Sequence, residues 1–187
     1  HLRAPLFWAY WRCLHANVVR SFTRLVEHAR TYARSRGREI LITGNLYSLS
    51  PIEMPLARQI DFVAVEQKKT MMKQPEWYRY AAGIAAGKEV AVVYGPYVGS
   101  VIPDLHARIL RGGGHDLYRL IWLEAAAYGC IQSVPYGGWL SNAIPDSFWP
   151  PRGTGVEVQG FLADHEELFA PESRAEVGVL YSVPSNY

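Results

Sequence analysis

The sequence has 187 residues, of which 49% are hydrophobic and 19% are charged, as in ordinary globular proteins of one domain or slightly more. Its 19 basic and 17 acidic residues leave a formal net charge of +2, and this balance indicates neither a nucleic-acid partner nor a membrane-surface partner. No apolar run approaches the roughly 20 residues of a membrane-spanning helix.

Neither the cysteines nor the histidines form a recognisable site. Cys13 and Cys130 fit no metal motif, and two cysteines do not make a disulfide framework. The six histidines show no HExxH or other ligand spacing, so we expect no metal and no cofactor. The chain starts at His1 rather than Met, and we therefore expect it to be a fragment of a longer protein whose compartment the sequence does not indicate.

The first predicted element is an amphipathic helix over 17–36, after a loop over 1–16 that is dense in aromatic residues. Apolar residues such as Val18 and Phe22 recur at helical spacing, while the arginines fall on the opposite face. Gly37 ends the helix. We interpret the arginines as a solvated face rather than as an anion-binding site.

Four short apolar runs predict buried strands, and helical patterns lie between them. The strands are predicted over 39–45, 61–67, 89–95 and 130–134. The regular alternation of strand and helix indicates parallel βα units, so the predicted fold class is α/β. Four such units make half of a (β/α)8 TIM barrel, which needs roughly 200 or more residues. The rest of the barrel then precedes His1, or else the sheet is a small open one.

The end of the chain predicts a second unit. Residues 140–160 are rich in Pro, Gly and Ser and predict a long loop or a linker, which a short helix over 163–169 follows. An apolar run over 176–182 then predicts a fifth strand. Because this strand begins behind a linker, we divide the chain into a domain over 1–160 and the start of another over 161–187.

Glu66 is the first candidate for chemistry, because it lies at the carboxyl end of the central predicted strand, 61–67. In a parallel barrel, side chains at the carboxyl ends of the strands line the active-site mouth, whereas those at the opposite ends serve stability. Asp61 stands at the opposite end of the same strand and is therefore not a candidate. The alternative is that Glu66 ends a strand at the surface and has no role in chemistry.

Several polar and aromatic residues follow the predicted strands on the same side as Glu66. Asn45 could donate a hydrogen bond to a sugar hydroxyl or to a carboxylate, or it could be an ordinary turn residue. Four aromatic residues could stack a sugar, fix a carboxylate or simply pack at the rim: Tyr47, Tyr94, Tyr136 and Trp139. Asp104 and Asp146 lie on loops after the third and fourth strands and could reach the same mouth, or be solvated acids.

The order of these segments resembles a known family. The stretches GREILITGN, DFVAVEQ, KEVAVVYG and GCIQSVPYGGW resemble the later strands of the catalytic barrel in glycoside-hydrolase-like proteins. The closing stretch ESRAEVGVLYSVPSNY resembles the opening strand of the β-galactosidase trimerisation domain, which has a flavodoxin-like fold and follows such barrels. The resemblance implies a partial (β/α)8 barrel made of the last four βα units, a carbohydrate substrate and trimerisation through the second domain.

The resemblance also implies where catalytic residues would stand. In β-galactosidases of this type the acid/base Glu ends the fourth strand, which would precede His1, and the nucleophile Glu ends the seventh. The seventh strand here ends in Tyr94 and Gly95 without a carboxylate, and Glu66 ends the sixth, so neither family role is assigned to a residue.

Three hypotheses therefore remain open. The first is a glycoside hydrolase with Glu66 at its site. The second is a non-catalytic carbohydrate-binding barrel that has lost the seventh-strand nucleophile. The third is an open α/β domain unrelated to sugars.

Overall fold

The computed structural model describes residues 6–46, 49–67, 75–94, 115–132, 152–169 and 176–180. The α-helices in these ranges are α1 (Phe7–Ser35), α2 (Pro75–Ala85), α3 (His115–Ala127) and α4 (Arg152–Asp164). The strands are β1 (Val63–Gln67), β2 (Val90–Tyr94) and β3 (Ile131–Gln132). Short 3₁₀ helices span Met54–Arg58 and Glu166–Leu168.

The strands form one parallel sheet in the order β1-β2-β3. β1 and β2 are in register from the pair Val63 and Val90 onward. The first predicted strand, 39–45, is not a full strand but a segment beside β1, joined to it by a parallel bridge between Asn45 and Ala64. The spatial order of these four segments is therefore their order in the chain, and the prediction of a parallel α/β fold is confirmed.

The valines of β1 and β2 show which face of the sheet is buried. Val63, Val65 and Val92 are 0% exposed and belong to a core shared with the helices. The helical members of this core are Tyr78, Ala81 and Ala85 of α2, Ile121, Trp122 and Ala125 of α3, and Val158 of α4. Ala64 and Ala91 alternate with the valines and point to the opposite face, where they are partly exposed and lie outside this core. In the described part of the chain, the buried helix faces thus pack on one side of the sheet.

α1 is longer than predicted, because it begins at Phe7. The prediction of a loop is therefore wrong for residues 7–16. No Pro or Gly lies inside α1, so nothing local stops a helix that tertiary packing has stabilised further along. That packing involves Val18 and Phe22, which lie against the core, and a Cβ added at Gly44 would lie 3.4 Å from the Phe22 ring. Gly44 therefore faces the Phe22 ring of α1 at a distance that even a Cβ would meet as ordinary van der Waals contact.

α4 shows that the prediction of a loop or linker over 140–160 is wrong for residues 152–160. Val158 is buried against the core, and the Arg119 guanidinium of α3 binds the Glu157 carboxylate with an N–O distance of 2.7 Å. This packing outweighs the low helix propensity of the glycines in α4. The predicted domain boundary therefore falls inside a helix.

The predicted fifth strand is described over 176–180, where it forms no strand with the other described residues. Val177, Val179 and Leu180 are 83%, 93% and 91% exposed there. Apolar side chains in such a segment need a partner surface, and the described residues do not supply one.

Asp61, just before β1, forms hydrogen bonds with the segment 39–45 and with α1. Its Oδ2 accepts the backbone N–H of Ile42 at 2.7 Å, and its Oδ1 accepts a hydrogen bond from Nη2 of Arg30 at 2.7 Å. The Ile42 N–H and the Arg30 guanidinium hold the pKa of Asp61 below its ordinary value. These contacts agree with the expectation that this end of the strand serves stability.

We expect Asp61→Asn to lower the free energy of unfolding at pH 7 by about 1–2 kcal/mol, because an amide keeps the shape but loses charge-assisted hydrogen bonds. The pKa of Asp61 is lower in the folded chain, so its carboxylate stabilises the fold above the unfolded pKa of about 4. This stabilisation is lost as the pH falls through the folded pKa. Urea unfolding measured from neutral pH downward should therefore show a smaller acid dependence in the variant.

Asp164→Asn is the matched control, because Asp164 is exposed on α4 and makes no hydrogen bond or ion pair with a described residue. Its unfolding free energy should stay within about 0.5 kcal/mol of the wild-type value. An equal loss in both variants would show that the contacts of Asp61 with Ile42 and Arg30 do not stabilise the fold.

Candidate functional site

Glu66 lies near the carboxyl end of β1, on the face of the sheet opposite the helical core. It is the second residue after Ala64, so the two side chains share that face. Ala64 forms the parallel bridge with Asn45, which brings Asn45 to the same face. The side-chain amide of Asn45 donates a hydrogen bond from Nδ2 to Oε1 of Glu66 at 2.6 Å. The fold thus brings together two of the predicted site residues from neighbouring parallel segments.

Hydrogen bonds on both sides of Asn45 fix its backbone. The N–H of Leu46 donates to the carbonyl oxygen of Ala64 at 2.8 Å, and the Thr43 hydroxyl donates to the carbonyl oxygen of Phe62 at 2.7 Å. The Leu46 side chain is 2% exposed and anchors the segment in the core. The Asn45 amide is therefore presented to Glu66 by a backbone attached to β1.

Near Asn45, two further hydrogen bonds involve residues that the sequence interpretation did not identify. The N–H of Leu49 donates to the carbonyl oxygen of Leu46 at 2.8 Å, and the hydroxyl of Tyr80 donates to the carbonyl oxygen of Leu49 at 3.0 Å. Leu49 has a φ of +52°, a left-handed conformation that leucine rarely adopts, and its side chain is 1% exposed. Burial and the Tyr80 hydroxyl thus hold a strained backbone beside the site, a combination frequent at functional sites.

The Glu66 carboxylate is partly exposed, and among the described residues it has one hydrogen-bond donor. Asn45 occupies Oε1, and no described residue donates to Oε2. No described lysine, arginine or histidine forms an ion pair with Glu66. A carboxylate with one neutral donor and one open oxygen can accept a proton, attack an electrophilic carbon or bind a hydroxyl.

Of the remaining predicted site residues, Tyr94 alone falls within the described ranges, and there the backbone is described but not the side chain. Its backbone ends β2 in register with Gln67, the residue after Glu66. The others lie outside the described residues: Tyr47, Asp104, Tyr136, Trp139 and Asp146. The described site therefore consists of the pair Asn45 and Glu66.

No protein-family model, curated protein or solved structure matches this chain. The function must therefore be inferred from the geometry of Glu66 and Asn45 and from the order of the strands.

Other reactive groups in the described ranges offer no second site. Cys130 is buried, and burial raises the pKa of its thiol to about 11, so it is protonated at neutral pH and is a poor nucleophile. Within those ranges no group of three or more His, Cys, Asp and Glu side chains gathers to hold a metal ion. The described helices include none that is long and apolar enough to cross a membrane.

Proposed function

We propose that this chain is part of a glycoside-hydrolase-like protein that acts on a carbohydrate, with Glu66 as one of its active-site carboxylates. The observation that carries the proposal is the 2.6 Å hydrogen bond between Asn45 Nδ2 and Glu66 Oε1. The two residues stand near the carboxyl ends of adjacent parallel segments, and these ends form the active-site mouth in a parallel barrel.

The order of the strands supports a barrel over an open, doubly wound sheet. The segment 39–45, β1, β2 and β3 follow one another in space as they do in the chain, with no reversal. Crossover connections between parallel strands are right-handed, so a sheet that grows in one direction places its helices on one face. A doubly wound sheet reverses its order and has helices on both faces. We therefore propose that these are the fifth to eighth strands of a (β/α)8 barrel.

The chemistry needs a second carboxyl group besides Glu66. The two groups lie about 5–5.5 Å apart in retaining glycosidases and about 6.5–9.5 Å apart in inverting ones. Asp104 and Asp146 are candidates within this chain, and the resemblance implies a Glu upstream of His1. In each case Asn45 holds Glu66 by Oε1 and leaves Oε2 for a proton, a water or the anomeric carbon of the sugar.

The exposed segment 176–180 supports a further domain after the barrel. Its apolar side chains, which include Val177 and Val179, are more than four-fifths exposed against the described residues. We propose that this segment opens a flavodoxin-like domain, as its resemblance to the β-galactosidase trimerisation domain implies, and that the protein forms a homotrimer through that domain.

A second candidate function is carbohydrate binding without hydrolysis. The observation that favours it is the residue at the end of β2, where the family places its nucleophile and this chain has Tyr94. Such a protein would use Asn45 and Glu66 as hydrogen-bonding groups for sugar hydroxyls. It would bind an oligosaccharide and leave it intact.

Calorimetry with an oligosaccharide panel, combined with turnover of chromogenic aryl glycosides, tests the two candidates on the full-length protein, because the proposed barrel is complete only there. We expect binding heat and turnover for a hydrolase, and binding heat alone for a binding protein. Glu66→Gln should lower turnover by about 100-fold or more in the first case and leave most of the binding intact in the second. The absence of both heat and turnover over the whole panel would contradict both candidates and favour an α/β domain unrelated to sugars.

A further inference from the structure

The helix α1 is much longer than the sheet against which it packs. Its 29 residues make about 43 Å of helix, whereas β1 and β2 have five residues each and span roughly 17 Å. A short turn joins the carboxyl end of α1 to the segment 39–45, so the helix runs in the direction opposite to the strands. Its amino-terminal end therefore lies toward the carboxyl ends of the strands, where Glu66 stands.

Two contacts show how far α1 extends past the sheet. Nη2 of Arg30 donates to Oδ1 of Asp61 at 2.7 Å, near the amino end of β1. Earlier in α1, the ring of Phe22 faces Gly44, the residue before Asn45. Another 15 residues of α1 precede Phe22, and they rise by about 22 Å along the helix axis. The first half of α1 thus continues beyond the level of Asn45, the hydrogen-bond partner of the candidate carboxylate.

The core-facing side of α1 continues through this extension. On a helix, residues three or four apart share one face. The residues on this face of α1 are Trp8, Trp11, His15, Val19, Phe22, Val26, Ala29 and Ala33. Val19 and Phe22 pack against the core, whereas Trp8 and Trp11 lie outside it. The face that meets the core in the second half of α1 is therefore turned, in the first half, toward the space over the carboxyl ends of the strands.

The aromatic rings on this extension make a neutral surface. The Trp11 ring contacts the His15 ring with a centroid distance of 3.6 Å, and the Phe7 ring meets the Trp8 ring edge-on at 5.0 Å. Burial lowers the pKa of His15, so its imidazole is uncharged at neutral pH. Pyranose rings carry apolar C–H faces, and large flat aromatic side chains cover such faces well. A neutral sugar is therefore a suitable ligand for this surface.

We propose that α1 holds Trp8 and Trp11 beyond the Glu66 end of the sheet, where their rings form an aromatic platform for sugar units remote from the bond that is cleaved. The inference rests on the proposed carbohydrate function and adds a substrate class to it. Trp11 precedes Phe22 by about 16 Å of helix, which exceeds the reach of one sugar ring bound at Glu66. The preferred substrate is therefore a long oligosaccharide, because a short one occupies only the Glu66 end of the site.

The test measures how kcat/KM of the full-length protein depends on the length of the substrate. The substrates are oligosaccharides of one sugar and linkage, from a disaccharide upward, and the products are measured by chromatography. We expect kcat/KM to be about tenfold higher for the longest substrate than for the shortest, because stacking adds binding energy. Equal values along the series would overturn the aromatic platform and leave the hydrolase standing. Tighter binding of longer chains without turnover would assign the platform to a binding protein, and no binding and no turnover would overturn both proposals.

Variants on two sides of α1 separate stacking from damage to the helix. Trp11→Ala should lower the ratio of kcat/KM between the longest and the shortest substrate severalfold, and Trp11→Phe, which keeps an aromatic ring, should retain most of it. Tyr10→Ala is the matched control and should keep the wild-type ratio, because Tyr10 lies at the same level of α1 but off this face and is 67% exposed. In a binding protein the same ratio is taken between association constants. An unchanged ratio in Trp11→Ala, even with lower values for both substrates, would overturn the proposal.

Discussion

In the full-length protein, replacing Glu66 by glutamine should lower kcat for an aryl glycoside by about 100-fold or more, while KM changes severalfold at most. Glutamine has the shape of glutamate, and its carbonyl oxygen can still accept the hydrogen bond that Asn45 Nδ2 makes at 2.6 Å. The substitution therefore removes the negative charge and leaves the local geometry. A group that accepts a proton or attacks the sugar needs that charge, whereas a group that only binds a hydroxyl does not.

Glu89→Gln provides the matched control for this experiment. Glu89 precedes β2 at the opposite end of the sheet, its side chain is exposed, and its backbone carbonyl accepts the N–H of Val63 at 2.9 Å. Because the side chain takes no part in that bond, kcat and unfolding temperature should stay at the wild-type values. Wild-type turnover in Glu66→Gln would show that Glu66 is not a catalytic residue. An equal loss of kcat in both variants would show that the loss is not specific to Glu66, and the active site would then not be assigned to this end of the sheet.

The sheet could be predicted from the sequence because short apolar runs are typical of buried strands. The valines of DFVAVEQ and KEVAVVYG form β1 and β2, and the described part of the run over 130–134 forms β3. Parallel strands leave their carboxyl ends at one edge, so Asn45 and Glu66 could be expected to meet before any coordinates were known. Ser50 and Glu53 have the spacing of a capping box, a pattern that predicts the start of a short helix, and the N–H of Ser50 donates to the Glu53 carboxylate at 2.7 Å.

The remaining features depend on contacts between residues far apart in the chain. Tyr80 reaches the carbonyl oxygen of Leu49 across 31 residues, and no local pattern indicates that bond. The glycines of α4 indicate a loop by propensity, and the helix forms because Val158 is buried and Arg119 holds Glu157. The aromatic start of α1 is helical for a related reason, since packing of its second half makes the whole helix cooperative.

Substitutions on the two sides of α3 can test which side of this helix packs against the sheet. Trp122 is 0% exposed and belongs to the core that contains Val65 and Val92, whereas Leu120 is 48% exposed. We expect Trp122→Ala to lower the free energy of unfolding by about 3–5 kcal/mol, because truncation loses burial and leaves a cavity that a packed core cannot fill. Leu120→Ala should change it by about 0.5 kcal/mol or less.

Urea unfolding followed by far-ultraviolet circular dichroism measures both changes, and the slope against urea should be equal in the two variants if unfolding stays two-state. A loss of about 3–5 kcal/mol is a large fraction of the stability of an ordinary domain, so Trp122→Leu, which retains part of the buried volume, provides a milder case. If α3 faces the sheet through Trp122, the loss of unfolding free energy should be largest for Trp122→Ala, smaller for Trp122→Leu and smallest for Leu120→Ala. Comparable losses at Trp122 and Leu120 would mean that α3 is buried on both sides. The core-facing side of α3 would then not be defined by Trp122 alone, in contradiction to the 48% exposure of Leu120.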